Sequence, residues 1–408
     1  MRFFVFFCIV ASLCLAEMNI VYLKQAAVNE GAVCLDGTPG IYYFKAGSPA
    51  NSTKWVIHLL GGGLCLNNEE CLMRSQTYLG SSSYWPAQIK YGGPLHEDPA
   101  YNPDFYDWNH VFLAYCDGAS FSGDVAEPVK VAFGVVYYRG HRILLATIKD
   151  LLKNKGLDKA TDVFVVGDSA GGMATFYHAD EIKSMMPKSV TRFKAAPFSG
   201  VFLDVPNAEG TVFYINDMKH VFEMQNCSGG LDQRCIEAQS PDEGHKCMLA
   251  QYSMEHTQTP LFVMGSAYDS IGLSCIEGGE PETSPIATGA GNCSAVPGWG
   301  ECEENPSQCT QEQWDKIQDY ASTFLKVIMF NPKFTQNGNG LFEYSCHSHA
   351  AESTNAWVFV SVQGTVMRDA VRKWYFSDDE PSSNHFYKDC VNYGSFSCNP
   401  TCEYPSKK

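Results

Sequence analysis

The chain of 408 residues has no surplus of basic residues and no Cys-x-x-Cys pair. Its 29 lysines and arginines are outnumbered by 45 aspartates and glutamates, so the formal net charge is −16. Nucleic-acid sites are built on basic patches, and we therefore expect no nucleic-acid partner. Without closely spaced cysteine pairs we expect no zinc knuckle, and we predict neither a metal nor a cofactor.

Long apolar runs are also missing, with one exception at the N-terminus. Arg2 precedes an almost wholly apolar stretch, residues 3–15, which is followed by Ala16 and Glu17. A basic residue, a short apolar region and a small residue are typical of a secretory signal peptide, with a buried N-terminal strand as the alternative. We predict that residues 1–16 are a signal peptide and that the mature protein is secreted, without a membrane span.

The 17 cysteines agree with export. Cys8 and Cys14 fall in the predicted signal peptide, which leaves fifteen in the rest of the chain. An oxidising compartment would pair most of them, and the odd number leaves one thiol free or bonded to another chain. Three Asn-x-Ser/Thr sequons predict surface N-glycosylation, at Asn51, Asn226 and Asn292.

Strand-like and helix-like segments alternate along residues 17–408, which we interpret as a single domain. Predicted strands cover 40–44, 54–60, 111–115, 162–166 and 261–264, and predicted helices cover 141–154, 173–184, 313–329 and 356–375. This alternation predicts an α/β fold with a mostly parallel sheet flanked by helices. Two cysteine-rich segments with weak periodicity, 207–260 and 277–309, are predicted to be loop insertions, with a small independent module as the alternative.

The sequence Gly-Asp-Ser-Ala-Gly-Gly at residues 167–172 is the strongest chemical signal. It follows an apolar, β-branched segment and precedes a predicted helix, the context of a nucleophile elbow with Ser169 at its tip. The same residues could form an ordinary strand-to-helix turn. A trypsin-like protease is a further alternative, but it needs its histidine and aspartate upstream of the serine. Asp168 is too close along the chain to orient a base for Ser169, and we predict that it caps the following helix.

An ester hydrolase also needs an oxyanion hole, a base and a carboxylate. The strand at 54–60 runs into three glycines, and we predict that the amides of Gly62, Gly63 and Ala170 bind the oxyanion. The three glycines could also form a plain turn.

For the carboxylate, Asp269 follows the strand at 261–264, where it could equally be a turn residue. For the base, Ser-Cys-His-Ser-His at 345–349 is the one histidine-dense spot downstream. Spacing alone does not separate His347 from His349. The order Ser, Asp, His along the chain is that of α/β-hydrolases.

With these residues in place, the chain resembles the pectin acetylesterase family, which includes the Notum deacylases. The matching motifs are at 33–37, 61–68, 115–124, 138–143, 167–172, 267–270 and 398–402. Several of them look closest to the plant enzymes. One departure is Leu64, where the plant-type loop usually carries Trp.

The resemblance implies an α/β-hydrolase-like fold and a Ser169–Asp269–His349 triad, because the family's base ends a Cys-x-x-His run. It implies hydrolysis of an O-acyl ester: acetyl groups of cell-wall pectin in plants, or a fatty acyl group of a protein for Notum. We predict a monomeric, secreted O-acetylesterase acting on extracellular polysaccharide. The alternatives are a Notum-like deacylase and a catalytically inactive binding protein. The acidic charge fits a neutral acetylated polysaccharide as well as it fits pectin.

Overall fold

The computed structural model describes residues 17–281, 293–378, 380–390 and 398–402, so the predicted signal peptide and Asn292 lie outside the described residues. Within these ranges, ten strands form one sheet. In chain order they are β1 Met18–Tyr22, β2 Ile41–Lys45, β3 Lys54–Leu59, β4 Gln88–Ile89, β5 Asn109–Leu113, β6 Asp162–Asp168, β7 Arg192–Phe198, β8 Phe262–Ser266, β9 Gly340–Tyr344 and β10 Phe386–Lys388.

The strand order is β10-β9-β8-β7-β6-β3-β5-β2-β1-β4. The run from β10 to β5 is parallel, and β2, β1 and β4 extend it in antiparallel pairing. In β6, Val163 and Val165 pack into the core on one face, while Phe164 and Val166 pack on the other. A strand buried on both faces needs apolar residues at every position, which explains its continuous apolar run.

Helices cover both faces of the sheet. They are α1 Lys24–Asn29, α2 Asn68–Arg74, α3 Gly140–Asp150, α4 Ala170–Ser184, α5 Tyr214–Met224, α6 Gln233–Ala238, α7 Ala250–Ser253, α8 Ser270–Gly272, α9 Trp299–Glu304, α10 Gln311–Met329, α11 Ala356–Phe359 and α12 Met367–Phe376. Helices α3, α4, α5 and α10 pack into one core cluster, and α11 and α12 into the cluster on the opposite face. None of the described helices is both long enough and apolar enough to cross a bilayer.

The predicted helix over 356–375 is wrong. Two short helices, α11 and α12, are separated by a hairpin that pairs Ser361–Val362 with Thr365–Val366. Its turn places Gln363 and Gly364 at φ of 53° and 75°. Left-handed residues end a helix, and the β-branched residues beside them pair as strands. The periodicity of the apolar residues on either side conceals this break.

The cysteines form seven disulfides: Cys34–Cys116, Cys65–Cys71, Cys235–Cys247, Cys275–Cys293, Cys302–Cys309, Cys346–Cys402 and Cys390–Cys398. Among the cysteines of the described residues, the remaining thiol, Cys227, is buried and free. This confirms the prediction that most cysteines pair and one is left over. The 207–260 segment, predicted as irregular, contains α5, whose Ile215, Met218 and Val221 pack into the core beside α4.

Candidate active site

Ser169 lies at a sharp turn between the end of β6 and the first residue of α4. Its backbone has φ 59° and ψ −125°, a left-handed conformation that is strained for a residue with a side chain. Its N–H donates to the carbonyl of Phe198 at 3.0 Å, which fixes the turn to β7. The side chain remains partly accessible to solvent. This is the geometry of a nucleophile elbow.

Close backbone packing explains the small residues around the serine. A Cβ at Gly171 would lie 1.9 Å from the carbonyl oxygen of Leu59 on β3. A Cβ at Gly61 would lie 2.2 Å from the carbonyl oxygen of Asp168. Both contacts are with rigid backbone, so the turn can approach β3 only if these positions are glycine.

We expect Gly171→Ala to lower the free energy of unfolding by about 3 kcal/mol, because the new methyl group must displace backbone in the core. Chemical denaturation checks this value. Gly229→Ala is the matched control, since a Cβ there meets no heavy atom within 4 Å. A Gly171→Ala protein as stable as this control would contradict the packing argument.

The loop after β3 faces the same turn. Gly62 and Gly63 have φ of 143° and 67°. Among the described residues, the N–H groups of Gly62, Gly63 and Ala170 donate no hydrogen bond to an acceptor. The hydroxyl of Tyr115 donates to the carbonyl of Gly63 at 2.7 Å and accepts from the N–H of Ser120 at 3.0 Å. The loop therefore offers free amides and is held in place by the segment at 115–124.

Asp269 and His349 meet at the ends of neighbouring parallel strands. Asp269 follows β8 and His349 follows β9, and the Nδ1 of His349 lies 2.7 Å and 3.0 Å from the two carboxylate oxygens. Oδ1 of Asp269 also accepts the N–H groups of Ile271 and Gly272, each at 3.0 Å. His347 lies elsewhere, with its Nε2 3.7 Å from a carboxylate oxygen of Glu303. The structure thus separates the two histidines that spacing left open.

The surroundings of His349 suit a general base. Burial alone would lower its pKa, but the charge and the hydrogen bond of Asp269 outweigh burial and raise the pKa above its usual value. The hydrogen bond to Asp269 occupies Nδ1, while Nε2 is buried and has no hydrogen-bond partner among the described residues. The imidazole is therefore oriented by one nitrogen and free to exchange a proton at the other.

A second carboxylate, missed by the sequence analysis, lies behind the histidine. Glu352 is buried, and burial raises its pKa to about 7. It accepts hydrogen bonds from the hydroxyls of Ser199, at 3.1 Å, and Tyr344, at 3.2 Å. Ser199 in turn accepts the N–H of Ala350, next to His349, at 3.2 Å. This network holds the turn that carries the histidine, and no sequence motif marks it.

The prediction that Asp168 caps α4 is wrong. No side chain caps that helix, and the Asp168 carboxylate instead bonds to the Nε2 of His58 at 2.7 Å and to the Tyr91 hydroxyl at 3.2 Å. The reason is the alternation of side chains along β6. Asp168 lies on the same face as Phe164 and Val166, where His58 on β3 is its neighbour.

Comparison with known proteins agrees with these features. The family model for pectinacetylesterases matches residues 14–403, nearly the whole chain. The chain belongs to the pectinacetylesterase family. Pectin acetylesterase 11 of Arabidopsis thaliana is 32% identical over 94% of this chain and 92% of its own length. Palmitoleoyl-protein carboxylesterase NOTUM of Schmidtea mediterranea is 26% identical over 86% of this chain and 62% of its own length. As a pectinacetylesterase family member, the protein is a carboxylic ester hydrolase.

The solved structure of the Wnt deacylase Notum from Drosophila has the same fold as this pectinacetylesterase family member. Its TM-score is 0.76 at 22% sequence identity, and the match covers 95% of this chain and 100% of that chain. The α/β-hydrolase-like fold with a mostly parallel sheet, predicted from the sequence, is confirmed.

Proposed function

We propose that this protein is an exported O-acetylesterase that removes acetyl groups from an extracellular polysaccharide. The observation that carries the proposal is the hydrogen-bonded pair of Asp269 and His349. These two residues come just after β8 and β9, and Ser169 comes just after β6, in the same parallel part of the sheet. The plant pectin acetylesterases support an acetyl ester as substrate, since they are 30% to 32% identical to this chain. A net charge of −16 fits a neutral acetylated polymer at least as well as pectin, which is itself anionic.

In the proposed mechanism, the Nε2 of His349 takes the proton of the Ser169 hydroxyl while Asp269 stabilises the imidazolium. The oxygen of Ser169 attacks the acetyl carbonyl, and the amides of Gly62, Gly63 and Ala170 bind the oxyanion. His349 then returns the proton to the leaving sugar hydroxyl. Water, activated by the same nitrogen, hydrolyses the acetyl-enzyme. No step requires a group from outside the chain other than water.

A series of p-nitrophenyl esters of increasing acyl length tests the substrate class. We expect kcat/KM to be highest for acetate and to fall by at least about tenfold at octanoate, because a pocket shaped for a two-carbon acyl group excludes longer chains. The Ser169→Ala protein measures the background rate at each length. A maximum at octanoate or longer would favour a Notum-like deacylase instead. No hydrolysis at any length, nor of acetylated polysaccharide, would favour an inactive binding protein.

Export and the chain's organisation belong to the same proposal. Seven disulfides favour an oxidising compartment, reached through a signal peptide at 1–16. We propose one catalytic domain over 17–408, acting as a monomer, with glycans at Asn51, Asn226 and Asn292. Asn226 is exposed and Asn51 is half-buried, and the side-chain amide of each donates a hydrogen bond at 2.8 Å, to the carbonyl of Asp124 and to the carboxylate of Asp107 respectively.

A further inference from the structure

A cluster of two histidines and a glutamate lies away from the candidate active site. His141 is in the first turn of α3, and His178 and Glu181 lie one turn apart on α4. The Nε2 of His141 is 2.9 Å and 3.0 Å from the two carboxylate oxygens of Glu181, and the Nδ1 of His178 is 3.4 Å from one of them. One nitrogen or oxygen atom from each of the three residues lies within 4.8 Å of the others.

The hydrogen bonding of His178 leaves a lone pair without a partner. Its Nε2 lies 3.2 Å from the carbonyl oxygen of Ser120, which can only accept, so Nε2 carries the proton. In a neutral imidazole, Nδ1 then presents a lone pair toward the Glu181 carboxylate, although the ring is fully buried and Nδ1 has no hydrogen-bond partner. An imidazole lone pair and a carboxylate oxygen 3.4 Å apart repel each other unless a proton or a metal cation lies between them.

We propose that His141, His178 and Glu181 bind a zinc ion, in contrast to the sequence-based expectation of no metal, at a site separate from the candidate active site. Imidazole nitrogens and one carboxylate are a typical zinc ligand set, with a water in the fourth position. The Nε2–H of His178 already makes the bond to a backbone carbonyl that fixes the orientation of zinc-binding histidines. His141 would bind through Nε2 after its proton moves to Nδ1.

The accessibility of the ligands fits the entry of an ion from one side. The His178 side chain is 0% exposed, His141 is 12% exposed and Glu181 is 35% exposed. The buried ring forms the floor of the site, and the carboxylate faces solvent, where the water ligand would lie. Arg142 does not compete for Glu181, because it pairs with Asp124 at 2.6 Å.

The role inferred for the ion is structural. His178 is nine residues beyond Ser169 on one helix, which places it about 13 Å along the helix axis, too far for the ion to contact the ester. The ion would join the start of α3 to α4. Through Ser120 it would also hold the segment at 115–124, whose Tyr115 hydroxyl bonds to the carbonyl of Gly63.

The test uses the full-length secreted protein, stripped with chelator and then given zinc chloride. We expect about one zinc per chain by elemental analysis after gel filtration. When the free zinc concentration is 100 times the dissociation constant, zinc should raise the Tm of the protein by about 3 °C. His141→Gln and Glu181→Gln should each weaken zinc binding by at least about 100-fold and abolish the rise in Tm.

His220→Gln is the matched control, because His220 is an exposed histidine on α5 outside the cluster, and it should behave as the wild type. Hydrolysis of p-nitrophenyl acetate shows that each variant is folded. A stripped protein that neither retains zinc nor gains Tm would overturn the proposal, and would mean that a proton on His178 holds the cluster together. Equal zinc binding by His141→Gln and the wild type would overturn it as well, since the ion would then lie elsewhere.

Discussion

Ser169→Ala is expected to lower kcat/KM for p-nitrophenyl acetate by roughly 10⁴- to 10⁶-fold, the range found when a serine hydrolase loses its nucleophile. The hydroxyl is the one atom in the elbow that can form the acyl-enzyme. Its loss leaves the proposed oxyanion amides and His349 without a covalent partner. Steady-state kinetics measure the change, with the enzyme concentration determined by a method that does not depend on the active site.

The same substitution should leave the fold intact. Within the part of the chain that the structure describes, the Ser169 side chain makes no hydrogen bond, and alanine has the same backbone restrictions at φ 59°. We expect Tm within about 2 °C of the wild type. Ser322→Ala, at a half-buried position on α10, is the control for a serine-to-alanine change elsewhere. Esterase activity of Ser169→Ala within tenfold of this control would refute Ser169 as the nucleophile.

Asp269→Asn should reduce kcat by roughly 10⁴-fold at neutral pH, the loss seen when an amide replaces the triad carboxylate of a serine hydrolase. An amide oxygen can still accept the N–H groups of Ile271 and Gly272, so folding should be preserved. What is lost is the negative charge that stabilises the His349 imidazolium and fixes its tautomer. The measurement is kcat for the same ester in both proteins.

The pH profile separates this role from a structural one. Asp269 raises the pKa of His349 above 6.5, and the histidine acts as a base only when neutral. The rate of the wild type should therefore fall as pH drops through a midpoint above 6.5. In Asp269→Asn the midpoint of the pH–rate profile should move to lower pH. Burial disfavours the charged form of His349, and the carboxylate of Asp269 no longer offsets this effect. His347→Gln should change neither quantity, and a profile unmoved by Asp269→Asn would contradict the assignment.

Local features of the candidate site were predictable because they depend on few residues. The elbow at Ser169 needs only a strand, small residues and a helix in sequence, and Asp269 needs only a position just after a strand. Glycines that follow a strand leave backbone amides uncovered, which is why the sequence suggests an oxyanion loop at Gly62 and Gly63, and that role stays a prediction. His349 could not be separated from His347 by spacing, since the choice depends on which ring reaches Asp269 across two strands.

The two failures in the candidate site, at Asp168 and Glu352, have a common physical origin, which is contact between segments distant in sequence. Asp168 was expected to bond locally, but His58, 110 residues earlier in the chain, is its partner across the sheet. Glu352 is significant only because folding brings Ser199 and Tyr344 to it. Disulfide pairing could not be derived from sequence for a different reason, since four of the seven bonds join cysteines only 6 to 12 residues apart. Fifteen cysteines allow very many sets of disulfide bonds, and the fold selects one set of seven bonds.

The most direct test of the central claim is to identify the atom that becomes acylated. A fluorophosphonate ester mimics the tetrahedral intermediate and labels an activated serine irreversibly. Peptide mass spectrometry of the inactivated enzyme should find one adduct per chain, on Ser169, and Ser169→Ala should remain unlabelled. Complete inactivation with the adduct on another residue, or an active enzyme that never labels at Ser169, would contradict the account.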